Sequence, residues 1–195
     1  MPYFQTVTSE FIYHSSDMLN AAAKLLASTM MALGVRKGDI VHVCDLGSSP
    51  LLYLQSKWFV SGLEVGASEI VGYKIICSDA TPERVHVFAD AYRIMRPQMV
   101  IVNTAINGLV RKFLDDKESK IVVAGDFEEV GIDAQLIYSS RELCFLYKCE
   151  SCNGFKPAEG SKITYMGDRV RIENPKSQRG DISGILLKAG EYCNC

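Results

Sequence analysis

Cys149 and Cys152 form a C-x-x-C, and Cys193 and Cys195 form a C-x-C that ends on the last residue of the sequence. Two close thiol pairs, about forty residues apart, suit a tetrahedral thiolate site, because each pair can bite one metal ion from a tight turn. Four thiolates leave no open coordination position. The metal expected here, zinc or iron, is therefore structural and not catalytic. A redox role for the C-x-x-C is disfavoured, because Cys149-Glu150-Ser151-Cys152 does not open a helix in a thioredoxin-like pattern. The site predicts that the final residue is bound back onto the body of the protein.

Other residues could also do chemistry. Asp45-Leu46-Gly47-Ser48-Ser49-Pro50 follows a β-branched run and opens a helical pattern. A glycine turn at a helix N-terminus can hold an anion on free backbone N–H groups. The hexapeptide resembles the first motif of S-adenosylmethionine-dependent methyltransferases. The later glycines of that motif are missing, and the following strand ends in Cys77 where an acid would hold the ribose. Gly125-Asp126-Phe127-Glu128-Glu129 is an acidic stretch after a predicted strand, where it could reach a ligand crevice. His14, His42 and His86 are far apart and read as chance positions. Cys44, Cys77 and Cys144 sit in or beside apolar stretches and read as buried structural thiols.

The elements that must position these residues alternate in type. Ser15, Ser16 and Asp17 are cap-type residues before the run Met18 to Leu33, and Gly34 follows as a C′ glycine, which predicts a helix. Strands are predicted at Ile40 to Cys44, Ile70 to Cys77, Met99 to Val102, Ile121 to Ala124 and Ala134 to Tyr138. Helices are predicted over residues 51–62 after Ser49-Pro50, from Thr81-Pro82 to just before Arg96-Pro97, and from Thr104 to Asp116. Strands alternating with helices imply an α/β fold with a mostly parallel sheet flanked by helices. The strands are continuous apolar runs, as expected when both faces are covered. After Arg141 the pattern changes to short segments between Gly, Pro and Asn turns: CFLYKC, KITYM, DRVRIE and DISGILL. These predict a small C-terminal antiparallel β region, closed by the metal clasp. The domain reading is an α/β core over 1–141 and a small β region over 142–195.

Bulk properties narrow the setting. The 195 residues are 48% hydrophobic and 23% charged, with a formal net charge of −2. That is enough chain for one core, and it gives no bulk electrostatic reason to expect nucleic acid or an anionic membrane as partner. No apolar run approaches the ~20 residues that span a bilayer, and the N-terminus lacks the pattern of a signal peptide. A cytoplasmic, reducing location is expected, where cysteines serve as metal ligands or free thiols more readily than as disulfides.

In order, these segments resemble adenylate-forming ligases of the phenylacetate–CoA ligase type. Thr8-Ser9 stands where that family begins its phosphate loop, and Tyr13-His14-Ser15-Ser16-Asp17 is similar to its Tyr-x-x-x-Asp helix start. Gly34-Val35-Arg36-Lys37-Gly38-Asp39 resembles the turn after its long helix, and Arg96-Pro97 followed by Met99 to Asn103 resembles a later strand. Ala124-Gly125-Asp126 sits where the family has Gly-Glu after a strand. Ile137-Tyr138-Ser139-Ser140-Arg141-Glu142 is similar to its Tyr-Gly-x-Ser/Thr-Glu motif. Gly180-Asp181-Ile182 and Gly190 to Cys195 resemble its Asp-Leu-Thr segment and its Cys-x-Cys ending. Cys149 to Lys156 resembles a segment with a Cys and a later His; Lys156 replaces that His, and Cys152 becomes the substitute ligand.

The resemblance implies roles. Glu142 matches the Mg²⁺-binding glutamate, Asp181 the aspartate that holds the ribose, and Tyr138 the aromatic residue beside adenine, with Ser139 in place of glycine and Asp126 nearby. The implied ligands are AMP or ATP with Mg²⁺, an acyl-adenylate or a small-molecule carboxylate such as an aromatic acid. The chain departs from the family at the phosphate loop, where Glu10-Phe11-Ile12 follow Thr8-Ser9 without glycines, so an acid faces the triphosphate. The family's N-terminal subdomain and mobile C-terminal domain with its catalytic lysine are also missing from this sequence. Complete ATP-dependent adenylation by the chain alone is not expected. A partner protein supplying the missing parts, or a non-catalytic subunit role as homo-oligomer or regulator, follows from that.

Overall fold

In the computed structural model, the backbone is described at 3–7 and 10–13, and whole residues at 14–114, 118–125, 135–140, 142–152, 154–177, 184–193 and 195. The chain opens with an antiparallel hairpin of β1 (Tyr3–Val7) and β2 (Glu10–His14). The sequence patterning did not predict this hairpin. Thr8 and Ser9, at the expected phosphate-loop position, lie outside the described residues.

Helix α1 (Ser16–Ala32) follows directly. Ser15 Oγ accepts from the Met18 N–H at 3.2 Å, and Gly34 beyond the helix takes φ +97°, which glycine adopts without Cβ strain. Ala22, Ala23 and Ala27 are buried on α1. Their small side chains let the helix lie close against the sheet and against the short helix Ala67–Val71.

The central sheet starts with β3 (Ile40–Asp45). The helix expected over 51–62 is only α2 (Pro50–Tyr53), capped by Ser49, after which the chain turns. The strand expected from Ile70 begins later. Ile70 and Val71 belong to α3 (Ala67–Val71), which ends at Gly72 with φ +88°, and β4 runs Lys74–Asp79. The left-handed glycine separates an apolar run that reads as one element. Next come a 3₁₀ turn at Pro82–Arg84, α4 (Val85–Met95), β5 (Met99–Asn103), α5 (Thr104–Val110) with a 3₁₀ turn at Arg111–Phe113, and β6 (Lys120–Ala124). After β7 (Gln135–Ser139) come β8 (Phe145–Lys148) and β9 (Phe155–Pro157). The last strands are β10 (Lys162–Met166), β11 (Arg169–Glu173) and β12 (Ile185–Lys188).

Seven strands form one sheet in the order β4-β3-β5-β6-β7-β8-β9. It is parallel from β4 to β7, and the last two pairings are antiparallel. The order reverses direction between β3 and β5, which makes that pair the topological switch point. CFLYKC is thus antiparallel as expected, but it extends the main sheet. β10, β11 and β12 form a separate antiparallel sheet.

Alternate residues along the strands feed different cores. Val43, Ile101, Val122, Ile137 and Phe145 pack with α1 on one face. On the other, Cys44, Val100 and Val102 pack under Phe88 and Tyr92 of α4 and Ile106 of α5. Cys144 and Leu146 pack against Val170, Ile172, Ile185 and Leu187 of the small sheet. Among the described residues no helix is long and apolar enough to cross a membrane.

Candidate metal centre and crevice

The segment Cys149–Cys152 follows β8, and Cys193 and Cys195 follow β12 and a 3₁₀ turn at Ala189–Glu191. Backbone hydrogen bonds bring the two arms together. The Cys149 N–H donates to the Gly154 carbonyl at 2.9 Å, the Cys193 N–H donates to the Phe155 carbonyl at 3.0 Å, and Phe155 bridges Tyr192 in parallel register. Gly154 suits this close approach: a Cβ there would meet Cys193 Cβ at 3.1 Å and Cys193 N at 3.2 Å, tighter than ordinary contact.

All four Sγ atoms lie within 4.8 Å of one another. Cys152 and Cys193 Sγ are 2.9 Å apart, Cys193 and Cys195 3.0 Å, and Cys195 and Cys152 3.3 Å. A tetrahedron with Zn–S bonds of about 2.3 Å has edges of about 3.8 Å, so the closest sulfurs need open by less than ~1 Å, within reach of side-chain rotation. The donor set therefore fits a tetrathiolate metal. Cys149, Cys152, Cys193 and Cys195 would hold it and fill every position.

The cluster already favours a thiolate. The Ser151 backbone N–H, with further donors from Cys193 and Cys152, holds the Cys149 thiol down to about 6 against the opposing effect of desolvation. Desolvation pushes Cys193 up to about 12, and its thiol neighbours add to the shift. Lys156, in register with Tyr147 across the β8–β9 pair, is raised: desolvation opposes the shift, and the charges of Cys149 and Cys193 outweigh it. A cation thus stands beside the site where the resemblance implied a histidine ligand. By contrast, Cys44 and Cys144 are buried away from the cluster, and burial pushes both up to about 12.

Of the residues expected for a nucleotide, Tyr138, Ser139 and Glu142 lie at or just after the carboxyl end of β7. Tyr138 and Ser139 are consecutive in the strand, so they leave it on opposite faces. Tyr138 packs against the core beneath the small sheet, opposite Leu146 in register. Glu142 lies in the turn between β7 and β8. There Leu143 takes φ +62°, and the Ser140 N–H donates to the Cys144 carbonyl at 3.0 Å. A non-glycine residue in the left-handed region is a strained turn of the kind found at ligand sites. Asp126 and Asp181 lie outside the described residues.

Sequence reasoning passed over His14. It ends β2 just before the cap of α1 and is fully buried, and neither ring nitrogen has a hydrogen-bond partner among the described residues. Burial lowers its pKa, and the Glu142 charge acts in the opposite direction. The one signal in the sequence was position: His14 directly precedes the Ser15 cap.

The Asp45 turn closes on itself. Asp45 Oδ1 accepts from the Leu46 N–H at 2.8 Å and from Asn103 Nδ2 at 2.6 Å, and Oδ2 accepts from Ser49 Oγ at 2.6 Å. Burial raises its pKa, while the bonds from Ser49, Asn103 and Leu46 oppose the rise. The Asp45 carboxylate is thus held within the chain, and the following strand, expected to end in Cys77, runs on to an acid, Asp79. A separate surface cavity of about 360 Å³ lies along α1, lined by Asp17, Asn20, Lys24, Glu64, Glu159 and Lys176 among others.

No protein-family model matches the chain, and no curated protein matches it in sequence. Solved structures do match its fold. An open conformation of 2-hydroxyisobutyryl-CoA ligase, in complex with 2-HIB-AMP and CoA, has a TM-score of 0.56 at 13% identity over 87% of this chain and 46% of its own. Coronafacic acid ligase from Pectobacterium brasiliense, in a mutant form, has a TM-score of 0.57 at 16% identity over 95% of this chain and 42% of its own. The amide bond synthetase McbA from Marinactinospora thermotolerans has a TM-score of 0.59 at 14% identity over 97% of this chain and 45% of its own. The chain spans under half the length of these structures. Its fold is that of a portion of the adenylate-forming ligases.

Proposed function

We propose that this protein is a reduced adenylate-forming module of the phenylacetate–CoA ligase type. It binds AMP or an acyl-adenylate at the carboxyl ends of β6 and β7 and carries a structural zinc on Cys149, Cys152, Cys193 and Cys195. The observation that carries this reading is the chain-wide fold match to a ligase that holds an acyl-adenylate-type ligand, 2-HIB-AMP. The cysteine cluster supports its zinc half. In this reading Glu142 is the Mg²⁺ ligand, and Asp126, Tyr138, Ser139 and Asp181 serve the nucleotide. Adenylation of an aromatic carboxylate also needs a phosphate loop and a catalytic lysine.

Ligand-dependent thermal stability tests the proposal. AMP or ATP with Mg²⁺ at 100 times its dissociation constant adds about 2.7 kcal/mol to stability. S-adenosylmethionine is expected to add nothing. Stabilisation by S-adenosylmethionine alone would refute the adenylate reading. No shift with any nucleotide would favour a second reading, a non-catalytic subunit of the same fold, which the glycine-free stretch after Thr8-Ser9 also supports.

A further inference from the structure

The thiol cluster has the geometry for a reaction besides holding a metal. Cys152, Cys193 and Cys195 Sγ lie 2.9 to 3.3 Å from one another. Each separation is about 1 Å longer than a disulfide bond, so a small side-chain rotation brings a pair to bonding distance. Access to the sulfurs is unequal: Cys195 is exposed and Cys152 partly so, while Cys149 and Cys193 are buried. Cys152 and Cys195 also stand on opposite arms of the clasp.

We infer that the clasp is a peroxide-responsive site in which Cys195 is oxidised first, Cys152 closes a disulfide with it, and the metal is released. This rests on the metal reading above. The Cys195 thiolate attacks one oxygen of hydrogen peroxide. The O–O bond breaks, leaving a sulfenic acid on sulfur and releasing hydroxide. The Cys152 thiolate then attacks the sulfenic sulfur at a starting separation of 3.3 Å, and the S–S bond forms as a second hydroxide leaves. Two thiolates have lost two electrons, and peroxide has been reduced to two hydroxides, which take up protons to become water. Cys193 is nearer to Cys195, at 3.0 Å, but a bond between them would close a small ring through one intervening residue. The two remaining thiolates are too few for a structural zinc site. The covalent bond then replaces the metal as the tie between the arms.

The test uses zinc-loaded full chain exposed to hydrogen peroxide beside a colorimetric zinc chelator. Free thiols are then alkylated and the peptides mapped by mass spectrometry. The expected result is zinc release in step with a cross-linked peptide pair joined through Cys152 and Cys195, with release slowed about tenfold or more in Cys195→Ser. Because that variant also loses a ligand, the peptide map of the unaltered protein decides. Zinc release with Cys195 still alkylatable overturns the inference, as does zinc retention after Cys195 is oxidised. If the protein takes up no zinc at all, the metal reading has failed. Oxidation of the metal-free protein then tests the sulfur chemistry alone: the Cys152–Cys195 bond upholds it, and any other pairing overturns it.

Discussion

Asn103 Nδ2 lies 2.6 Å from Asp45 Oδ1, and this bond joins the carboxyl ends of two neighbouring parallel strands, β5 and β3. In open α/β sheets that switch point is where a ligand crevice forms. Here the chain fills the position with its own side chains. The same carboxylate holds Ser49, the cap of α2, so one buried group fixes the strand end, the glycine turn and the helix start.

Asp45→Ala is therefore expected to destabilise the fold by about 2–3 kcal/mol, because it leaves the Asn103 amide and the Ser49 hydroxyl without their acceptor. Asp45→Asn, which keeps the shape and one acceptor oxygen, should cost less. Urea denaturation of the two variants measures the difference. Equal, near-zero losses would show that this network is incidental.

Removal of the clasp metal is expected to loosen the packing of the small sheet on β7 and β8. Elemental analysis should find one zinc per chain, and a strong chelator should lower Tm by about 4–8 °C, since ~2 kcal/mol moves the Tm of a chain this size by that amount. Cys149→Ser should do the same without chelator. A Tm indifferent to both treatments would remove the structural role of the site.

His42 gives a pH dependence of known sign. It is fully buried on β3, stacks on Phe88 at 4.6 Å, and touches Ser78 Oγ through Nε2 at 2.6 Å. Desolvation lowers its pKa from 6.5 to about 4. Above about pH 6.5 the ring is neutral in both states. Between 6.5 and about 4 the unfolded chain takes up a proton that the folded chain refuses, so stability falls with falling pH, by about 3 kcal/mol in all. In His42→Phe that part of the acid sensitivity should vanish. Denaturation curves at pH 7 and pH 4.5 decide the matter: an unchanged difference between the two proteins would mean His42 is not its source.

Gly66 caps α3 where the chain presses on itself. A Cβ there would lie 2.4 Å from the Gln55 carbonyl oxygen and from Ser56 Cα, both backbone atoms that cannot rotate away. Gly66→Ala should cost about 3 kcal/mol. Thermal unfolding within 1 kcal/mol of the parent would show that the backbone yields there.

The sequence by itself determined the parts whose signal is local. The continuous apolar runs of β3, β5 and β6 predict buried parallel strands, because both of their faces must be covered whatever lies above them. Ser15 and Gly34 bound α1 through groups that act within one turn. The C-x-x-C and C-x-C spacings announce a thiolate cluster, since a metal's bite is itself local. What the tertiary structure decided depends on neighbours distant in sequence. Ile70 and Val71 read as strand but lie in α3, because Gly72 turns left-handed and Gly66 packs under Gln55 and Ser56. Asp45 reads as the end of a strand before a glycine turn, and only the fold shows that Asn103, 58 positions away, engages it. His14 looks incidental until burial and the Glu142 charge bear on it. Only the fold brings the Cys193 N–H within 3.0 Å of the Phe155 carbonyl, and that bond draws two cysteine pairs into one cluster.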